Sequence, residues 1–484
     1  MTLADLLKDV PVTAMTADPA LDVAEIRYDS RLVRPGDLFV AVEGYQSDGH
    51  RFIRKAAEAG AAAVLCQRPP EDAAIPYILT TDSRKALALV SAAYFGHPAR
   101  SMTMIGITGT NGKTTSTMLV KHILEEVLGA KVGLLGTIAN YIGAEEIPTE
   151  RTTPESYDLQ RLLRQMVDAG CTHAVMEVSS HALYLDRVAG MRYDVGAFTN
   201  LTQDHLDFHG TMENYAEAKS RLFTICDKAA VNTDDPWAGT MLARAVGATL
   251  TYGTRGGEDL SARDIAYSAT GVRFTAVRGD KAVPVRLAIP GRFSVSNALT
   301  ALSTALLAGI PLRDAADALA TASGVKGRAE VVPTPGDYTI VIDYAHTPDA
   351  LEKILQTMKA VTSGRVVAVF GCGGDRDGTK RPIMGRIAAE NADFTVVTSD
   401  NPRTEDPDAI IAAIVAGMPA DASKIVLPDR RAAIAWAIDH HAPGDVIVLA
   451  GKGHETYQDV GGVKHHMDER EIVAEHLRAA EHTT

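Results

Sequence analysis

Short apolar runs that end in polar clusters recur along the chain. Ile105 and Ile107 lead into Gly109–Gly112, Val132–Leu135 into Gly136-Thr137, and Ala174–Val178 into Ser179-Ser-His181. Val195–Phe198 leads into Thr199-Asn200 and Ala229–Val231 into Asn232-Thr-Asp234. Amphipathic stretches such as the one through Leu119, Val120 and Ile123 lie between several of these runs. The grammar returns later: Tyr338–Ile342 before Asp343-Tyr-Ala-His-Thr-Pro348, Val366–Phe370 before Gly371–Arg376, Phe394–Val397 before Thr398–Arg403, and Val446–Leu449 before Ala450–Glu455. Buried strands alternating with helices predict α/β architecture with mostly parallel sheets, whose ligands gather at the carboxyl ends of the strands.

The pattern divides the chain into three expected domains, 1–98, 99–328 and 329–484. In the first, Asp29-Ser-Arg31, Pro35–Val42 and Gly44–Gly49 read as short strands among turn-rich loops, with a helix at Phe52–Ala59 and a buried strand at Ala61–Leu65. That is a small α/β module. The second is a phosphate-loop type of mostly parallel sheet, and the third a Rossmann-like domain.

Composition narrows the function classes. A chain of 484 residues exceeds one ordinary core, and 46% hydrophobic with 23% charged residues is globular usage. The net charge of −13, with no long basic run, argues against nucleic acid or an anionic membrane as the main partner. Four cysteines without C-x-x-C spacing suggest neither a disulfide framework nor a zinc site. The start reads as an acidic amphipathic helix rather than a signal peptide, and no apolar run is long enough to span a bilayer. A cytoplasmic location is expected.

Candidate chemistry centres on Gly109-Thr-Asn-Gly-Lys-Thr-Thr115. Strand, glycine loop and helix in that order can cradle phosphate on backbone N–H groups, with Lys113 as a mobile cation and Thr114 as a Mg²⁺ ligand. Ile107 stands where the strict phosphate-loop pattern wants glycine, so a plain glycine turn before a surface lysine stays open. Glu177 follows a strand on the side where that loop would hold Mg²⁺, or is an edge-of-strand charge in water. His205 lies after the next strand and is a metal ligand or a structural histidine. Lys219 alone looks like a solvated helix lysine, and Asn297 could meet an adenine edge or cap a helix.

Taken in order, these motifs with Glu177–His181, Asn200–Asp207, Gly327-Arg328, Asp343–Pro348 and Asp400-Asn-Pro-Arg403 resemble the Mur ligases of bacterial peptidoglycan synthesis, and among them the members that add the third peptide residue. The resemblance covers nearly the whole chain, and Ile107 is that family's own variant of the loop. It implies UDP-substrate-binding, ATP-binding and amino-acid-binding domains in that order. The implied reaction is an ATP-dependent amide bond between meso-diaminopimelate and the D-glutamate γ-carboxylate of UDP-N-acetylmuramoyl-L-Ala-D-Glu, through an acyl phosphate, in a monomer with two Mg²⁺.

Carried over by position, the resemblance gives ATP the residues Gly109, Thr110, Asn111, Gly112, Lys113, Thr114, Thr115, Asn297, Arg328 and Asp343. Thr114 and Glu177 match one Mg²⁺ site. Glu177, His205 and Lys219 match a second, with Lys219 as N6-carboxylysine, because an ammonium cannot ligate Mg²⁺ whereas an N-carboxylate can. Lys113, Lys219, His205, Glu177 and Arg328 are the implied catalytic set. Tyr28, Ser30, Tyr45, Gln46, Ser47, Thr152, Thr153, Ser179 and Arg187 match the UDP-substrate contacts, while Leu185 departs from the glutamine many members carry. Arg376, Asp400, Asn401, Pro402, Arg403, Gly451 and Glu455 match the amino-acid contacts. Arg403 can grip the second carboxylate of diaminopimelate bidentately, or it bridges Glu405 or Asp406 at the surface. Three rivals remain on sequence grounds: the same ligation with L-lysine, a folate polyglutamate ligase, and a phosphate-loop ATPase acting as a nucleotide-gated binding protein.

Overall fold

The computed structural model describes residues 1–44, 47–71, 75–149, 151–322 and 324–481. Tyr45 and Gln46 lie outside the described residues. The chain forms two compact units interleaved in sequence, residues 1–261 with 300–315 and residues 262–299 with 316–484. Among the described residues no helix is long and apolar enough to cross a membrane.

The first unit opens with five strands, β1 (Val12–Met15), β2 (Ile26–Arg27), β3 (Leu38–Val40), β4 (Ala63–Cys66) and β5 (Tyr77–Thr80). They lie in the order β1-β5-β4-β3-β2, with β1 antiparallel to β5 and the others parallel. Alternation puts Leu38, Val40 and Leu65 on one face against Leu3, Leu6 and Val90, and Phe39, Val64 and Cys66 on the other against Ile53 and Ala56. The opening helix is only Leu3–Leu6, and the helix expected at Phe52–Ala59 begins as a 3₁₀ turn, Gly49–Phe52, before Ile53–Glu58. Asp29–Arg31 is a turn rather than a strand, because the Asp29 carboxylate accepts from the Arg31 backbone and guanidinium.

Nine further strands continue the unit: β6 (Thr103–Thr108), β7 (Val132–Leu135), β8 (Asn140–Ile142), β9 (Glu145–Ile147), β10 (His173–Glu177), β11 (Tyr193–Phe198), β12 (Cys226–Asn232), β13 (Ala248–Gly253) and the start of β14 (Leu260–Ser268). Their order is β14-β13-β12-β11-β6-β10-β7-β8-β9. Pairing is parallel from β14 to β7 and antiparallel through β8 and β9. The sheet is thus mostly parallel, as the apolar runs predicted, and the loops after β6, β10 and β11 emerge at one edge.

The second unit carries an antiparallel hairpin, β15 (Gly271–Arg278) with β16 (Lys281–Leu287). It also carries six strands in the order β17-β18-β22-β19-β20-β21: β17 (Glu330–Val332), β18 (Tyr338–Asp343), β19 (Val366–Phe370), β20 (Phe394–Val397), β21 (Lys424–Val426) and β22 (Asp445–Ala450). Only β17 is antiparallel to its neighbour. Val366, Ala368, Phe370, Val446 and Val448 face helices Pro348–Lys359, Lys380–Asn391 and Pro407–Val415. Val367, Val369, Ile447 and Leu449 face helices Arg430–Asp439 and Glu469–Glu481. Strands covered on both faces read as continuous apolar runs for this reason. A last hairpin, β23 (Tyr457–Val460) with β24 (Val463–His466), forms a two-stranded sheet, bridged at Val460 to Arg403.

One buried ion pair fastens the two helices of the second face. Arg430 and Glu469 have fully buried side chains and meet at 2.8 Å, and Arg430 also donates to the Ala450 carbonyl at 2.8 Å. Removing the carboxylate strands a buried guanidinium. Glu469→Ala is therefore expected to weaken this unit by about 3 kcal/mol, read from the urea transition of Trp436 fluorescence in a Trp237→Phe background.

Candidate functional site

β6 runs directly into Gly109, where φ is 149° and a Cβ would fall 1.9 Å from the Thr199 hydroxyl, so only glycine fits. Gly112, with φ of 83°, precedes helix Lys113–Leu128, whose first turn presents N–H groups to the loop. Lys113 curls back, its Nζ donating to the carbonyls of Gly109 at 2.9 Å and Thr110 at 2.8 Å. Lys219, on helix Met212–Ser220, is not a solvated lysine. It is 1% exposed and donates to the same Gly109 carbonyl at 2.7 Å. Burial, and then the cation of Lys113, hold the Lys219 amine well below its ordinary pKa.

Glu177, at the end of β10, is buried rather than an edge charge in water. Its carboxylate accepts from the Thr114 hydroxyl at 2.9 Å, the Thr137 amide at 2.9 Å and the Thr137 hydroxyl at 3.0 Å. Three donors satisfy this buried carboxylate, and the hydroxyl beside it completes a pair of hard oxygens of the kind Mg²⁺ takes. The donor set fits the ion on that ground. Among the described residues no three His, Cys, Asp or Glu side chains group as metal ligands. His205 stands apart from Glu177 in its contacts: left-handed with φ of 52°, its ring packs 4.9 Å from that of His181 and 6.1 Å from that of Tyr215. Tyr215 in turn sits under Lys219, whose Nζ lies 4.5 Å from the ring centroid.

The residues matched to the UDP-substrate divide into a tied group and a looser one. The Thr153 hydroxyl donates to the Glu177 carbonyl at 2.8 Å and accepts from the Ser179 amide at 3.1 Å. Arg187 donates to the Thr153 carbonyl at 3.0 Å and pairs with Glu155 at 2.7 Å. Thr152 and Thr137 hydroxyls meet at 3.0 Å, which joins this group to the Glu177 carboxylate, and Ser179 caps its helix by accepting from Ala182. Tyr28 donates to Asp158 at 2.6 Å and lines a cleft of roughly 380 Å³ with Thr149, Arg151 and Glu155. Ser30 is buried and Ser47 exposed.

In the second unit the loops after β18, β19, β20 and β22 leave one edge of the six-stranded sheet. Asp343 accepts from the Ala329 amide at 2.7 Å, and the Arg328 guanidinium lies 5.4 Å from the Tyr344 ring centroid. Asn297 is buried inside helix Arg292–Leu307, so it caps nothing. Arg376 is exposed, its guanidinium reaching back to the Asp375 carbonyl at 3.4 Å. Arg403 is left-handed, with φ of 52°, and its guanidinium donates to the Gly374 carbonyl at 2.6 Å. It bridges neither surface carboxylate: Glu405 pairs with Arg381 at 2.9 Å, and Asp406 caps helix Pro407–Val415. Asn401 donates to Glu455 at 2.8 Å. A Cβ on Gly451 would fall 2.5 Å from Asp400 Oδ2, an oxygen that is buried with no hydrogen-bond partner.

The Mur ligase domain families match in series: the catalytic domain over residues 22–97, the middle domain over 107–305 and the glutamate ligase domain over 327–453. A UDP-N-acetylmuramoyl-L-alanyl-D-glutamate--2,6-diaminopimelate ligase of Clostridium botulinum is 47% identical over 463 residues, covering 94% of this chain and 95% of that one. The chain belongs to the Mur ligase family. A relative of the same description from Caldanaerobacter subterraneus subsp. tengcongensis is 46% identical and covers 99% of this chain and 100% of its own. Among solved structures, one of a ligase so described superposes with a TM-score of 0.78 at 33% identity, covering 100% of this chain and 99% of that one. The three-domain α/β organisation of Mur ligases is the fold expected from the motif order.

Two residues of this Mur ligase's edges escaped the sequence reading. Thr137 supplies two of the donors to Glu177, and its only sequence signal is its place just after the run Val132–Leu135. Lys452 is fully buried, donating to Asn401 Oδ1 at 2.9 Å and Glu455 at 3.2 Å. A lysine between glycines gives no hint of burial. His209, buried against Ser180 Oγ at 2.9 Å, is a third group whose role is structural. Burial, then the His181, Lys219 and His205 charges, depress its pKa from 6.5 to about 4. Between these values the unfolded chain binds the extra proton, so stability is present above pH 6.5 and lost as pH falls toward 4. His209→Asn should flatten that loss, measured as urea midpoints at several pH values across the window.

Proposed function

We propose that this Mur ligase adds meso-diaminopimelate to the D-glutamate γ-carboxylate of UDP-N-acetylmuramoyl-L-Ala-D-Glu at the expense of ATP, acting as a cytoplasmic monomer with domains 1–98, 99–328 and 329–484. The observation that carries the reading is the Thr114–Glu177 contact at the mouth of a strand–glycine loop–helix, in a chain so closely related to ligases of that description. The loop amides and Lys113 would bind the ATP phosphates, with Asn297 and Asp343 on the nucleoside side and Arg328 toward the transferring phosphoryl. Carboxylate is a poor electrophile. Its oxygen attacks the γ-phosphorus, the bond to ADP breaks, and the acyl phosphate has a leaving group. The incoming amine then adds to the acyl carbon, phosphate departs, and the amine's proton is released.

Mg²⁺, when bound, neutralises phosphate charge. Thr114 and Glu177 would hold one ion, and Glu177, His205 and Lys219 the second. Lys219 suits that role as N6-carboxylysine, because a buried amine held below its ordinary pKa is the neutral nucleophile that CO₂ requires. At the other edge, Arg403 would grip the second carboxylate of diaminopimelate, while Glu455 takes an ammonium. Lysine brings an ammonium toward that guanidinium instead, so like charge disfavours it. A phosphate-loop switch has no use for this zwitterion seat, which speaks against the ATPase reading.

Phosphate release from ATP should require both UDP-N-acetylmuramoyl-L-Ala-D-Glu and diaminopimelate. Release without either substrate would favour the ATPase, and equal kcat/KM for lysine and diaminopimelate would remove the amino-acid assignment. Lys219→Ala should lose more than about 100-fold in kcat and recover partly with added short carboxylates. Wild-type rates in that variant would overturn the carboxylysine assignment. Arg403→Ala should cripple turnover with diaminopimelate and relax discrimination against lysine, measured as the ratio of the two kcat/KM values.

A further inference from the structure

The hairpin β23–β24 has no sheet of its own beyond two strands and shows largely exposed side chains, yet it holds the Asp400–Arg403 turn at every level. Arg403 exchanges both backbone bonds with it, its amide donating to the Asp459 carbonyl at 3.0 Å and its carbonyl accepting from the Gly461 amide at 2.6 Å. Gln458 Nε2 donates to the Asp400 carbonyl at 2.8 Å. The Asp459 amide donates to Asn401 Oδ1 at 2.9 Å, the atom that Lys452 also reaches at 2.9 Å. Four bonds from one hairpin therefore fall on three of the four residues of the turn.

The turn needs them. Arg403 sits in the left-handed region, which costs a non-glycine residue about 1–2 kcal/mol, and Pro402 before it has no N–H to contribute. Relaxing Arg403 to the ordinary negative φ would swing Cα–Cβ and carry the guanidinium away from Gly374. Its aim is set by backbone bonds from a hairpin that itself supplies none of the residues matched to the amino acid.

We infer that β23–β24 is a clamp that aims Arg403, and that Gln458 is a positioning residue for amino-acid selectivity. The inference rests on the proposal that Arg403 meets the second carboxylate of diaminopimelate. Gln458 acts through the Asp400 carbonyl, so its loss loosens the turn without removing any group placed on a substrate.

Gln458→Ala should raise KM for diaminopimelate about tenfold, the size of one hydrogen bond, and narrow the diaminopimelate-over-lysine ratio by a similar factor. Its kcat, and its KM for ATP and UDP-N-acetylmuramoyl-L-Ala-D-Glu, should stay within about twofold, whereas a general folding defect would move them all. Gln458→Glu, isosteric but without the donor, should match alanine. Val463→Ser, whose side chain is exposed on β24 and makes none of the four bonds, should behave as wild type. Hydrogen exchange supplies a readout that needs no substrate: the two peptides that carry the Arg403 amide and the Gly461 amide should each exchange at least tenfold faster in Gln458→Ala. Unchanged exchange overturns the clamp, whatever the amino acid proves to be. Faster exchange with an unchanged KM for diaminopimelate, in an enzyme whose Arg403→Ala variant is crippled, overturns Gln458 as a selectivity residue. An intact clamp effect in exchange, with wild-type enzyme that treats lysine and diaminopimelate alike, removes the amino-acid assignment and leaves the clamp standing.

Discussion

Two primary amines converge on one backbone carbonyl, that of Gly109, and much of the first unit's site depends on how they share it. Lys113 reaches it from the helix that follows the loop, and Lys219 from a helix about a hundred residues downstream. Burial first, and then the neighbouring cation of Lys113, hold the Lys219 amine below its ordinary pKa. Gly109 must be glycine for an independent reason, the Thr199 hydroxyl standing where a Cβ would go. The loop's shape, the protonation of Lys219 and the approach of β11 to β6 are thus one constraint seen from three sides.

Much of the fold was legible because parallel strands covered on both faces are continuous apolar runs. Val132–Leu135, Val366–Phe370 and Phe394–Val397 are strands with those limits. What escaped was amphipathic or locally paired. β16 alternates buried and exposed residues around Pro284, which reads against a strand although it pairs as one. Asp29–Arg31 looked extended until its own carboxylate and guanidinium closed on each other.

The candidate site shows the same division. Glycine loops and strand-end carboxylates stand out in a sequence, and the structure puts Thr114 against Glu177 and separates Arg403 from Glu405. His205 has histidine and tyrosine neighbours, which no local spacing encodes. Lys452 was invisible because burial of a lysine is a property of the surroundings, namely Asn401 and Glu455, some fifty and three residues away. Backbone bonds such as those of Asp459 and Gly461 leave no mark on side-chain identity at all.

The position of β22 has a bearing on how the chain is made. It is the last strand of the six-stranded sheet to leave the ribosome, yet it lies between β18 and β19, which were synthesised about a hundred and about eighty residues earlier. Until residue 450 emerges, those two strands have an open seam between them and present unpaired edges to each other and to any neighbour. Helix Glu469–Glu481, which brings the buried partner of Arg430, comes later still. The centre of this unit therefore closes only once β22 has been made, and the edges of β18 and β19 that face it stay exposed until then.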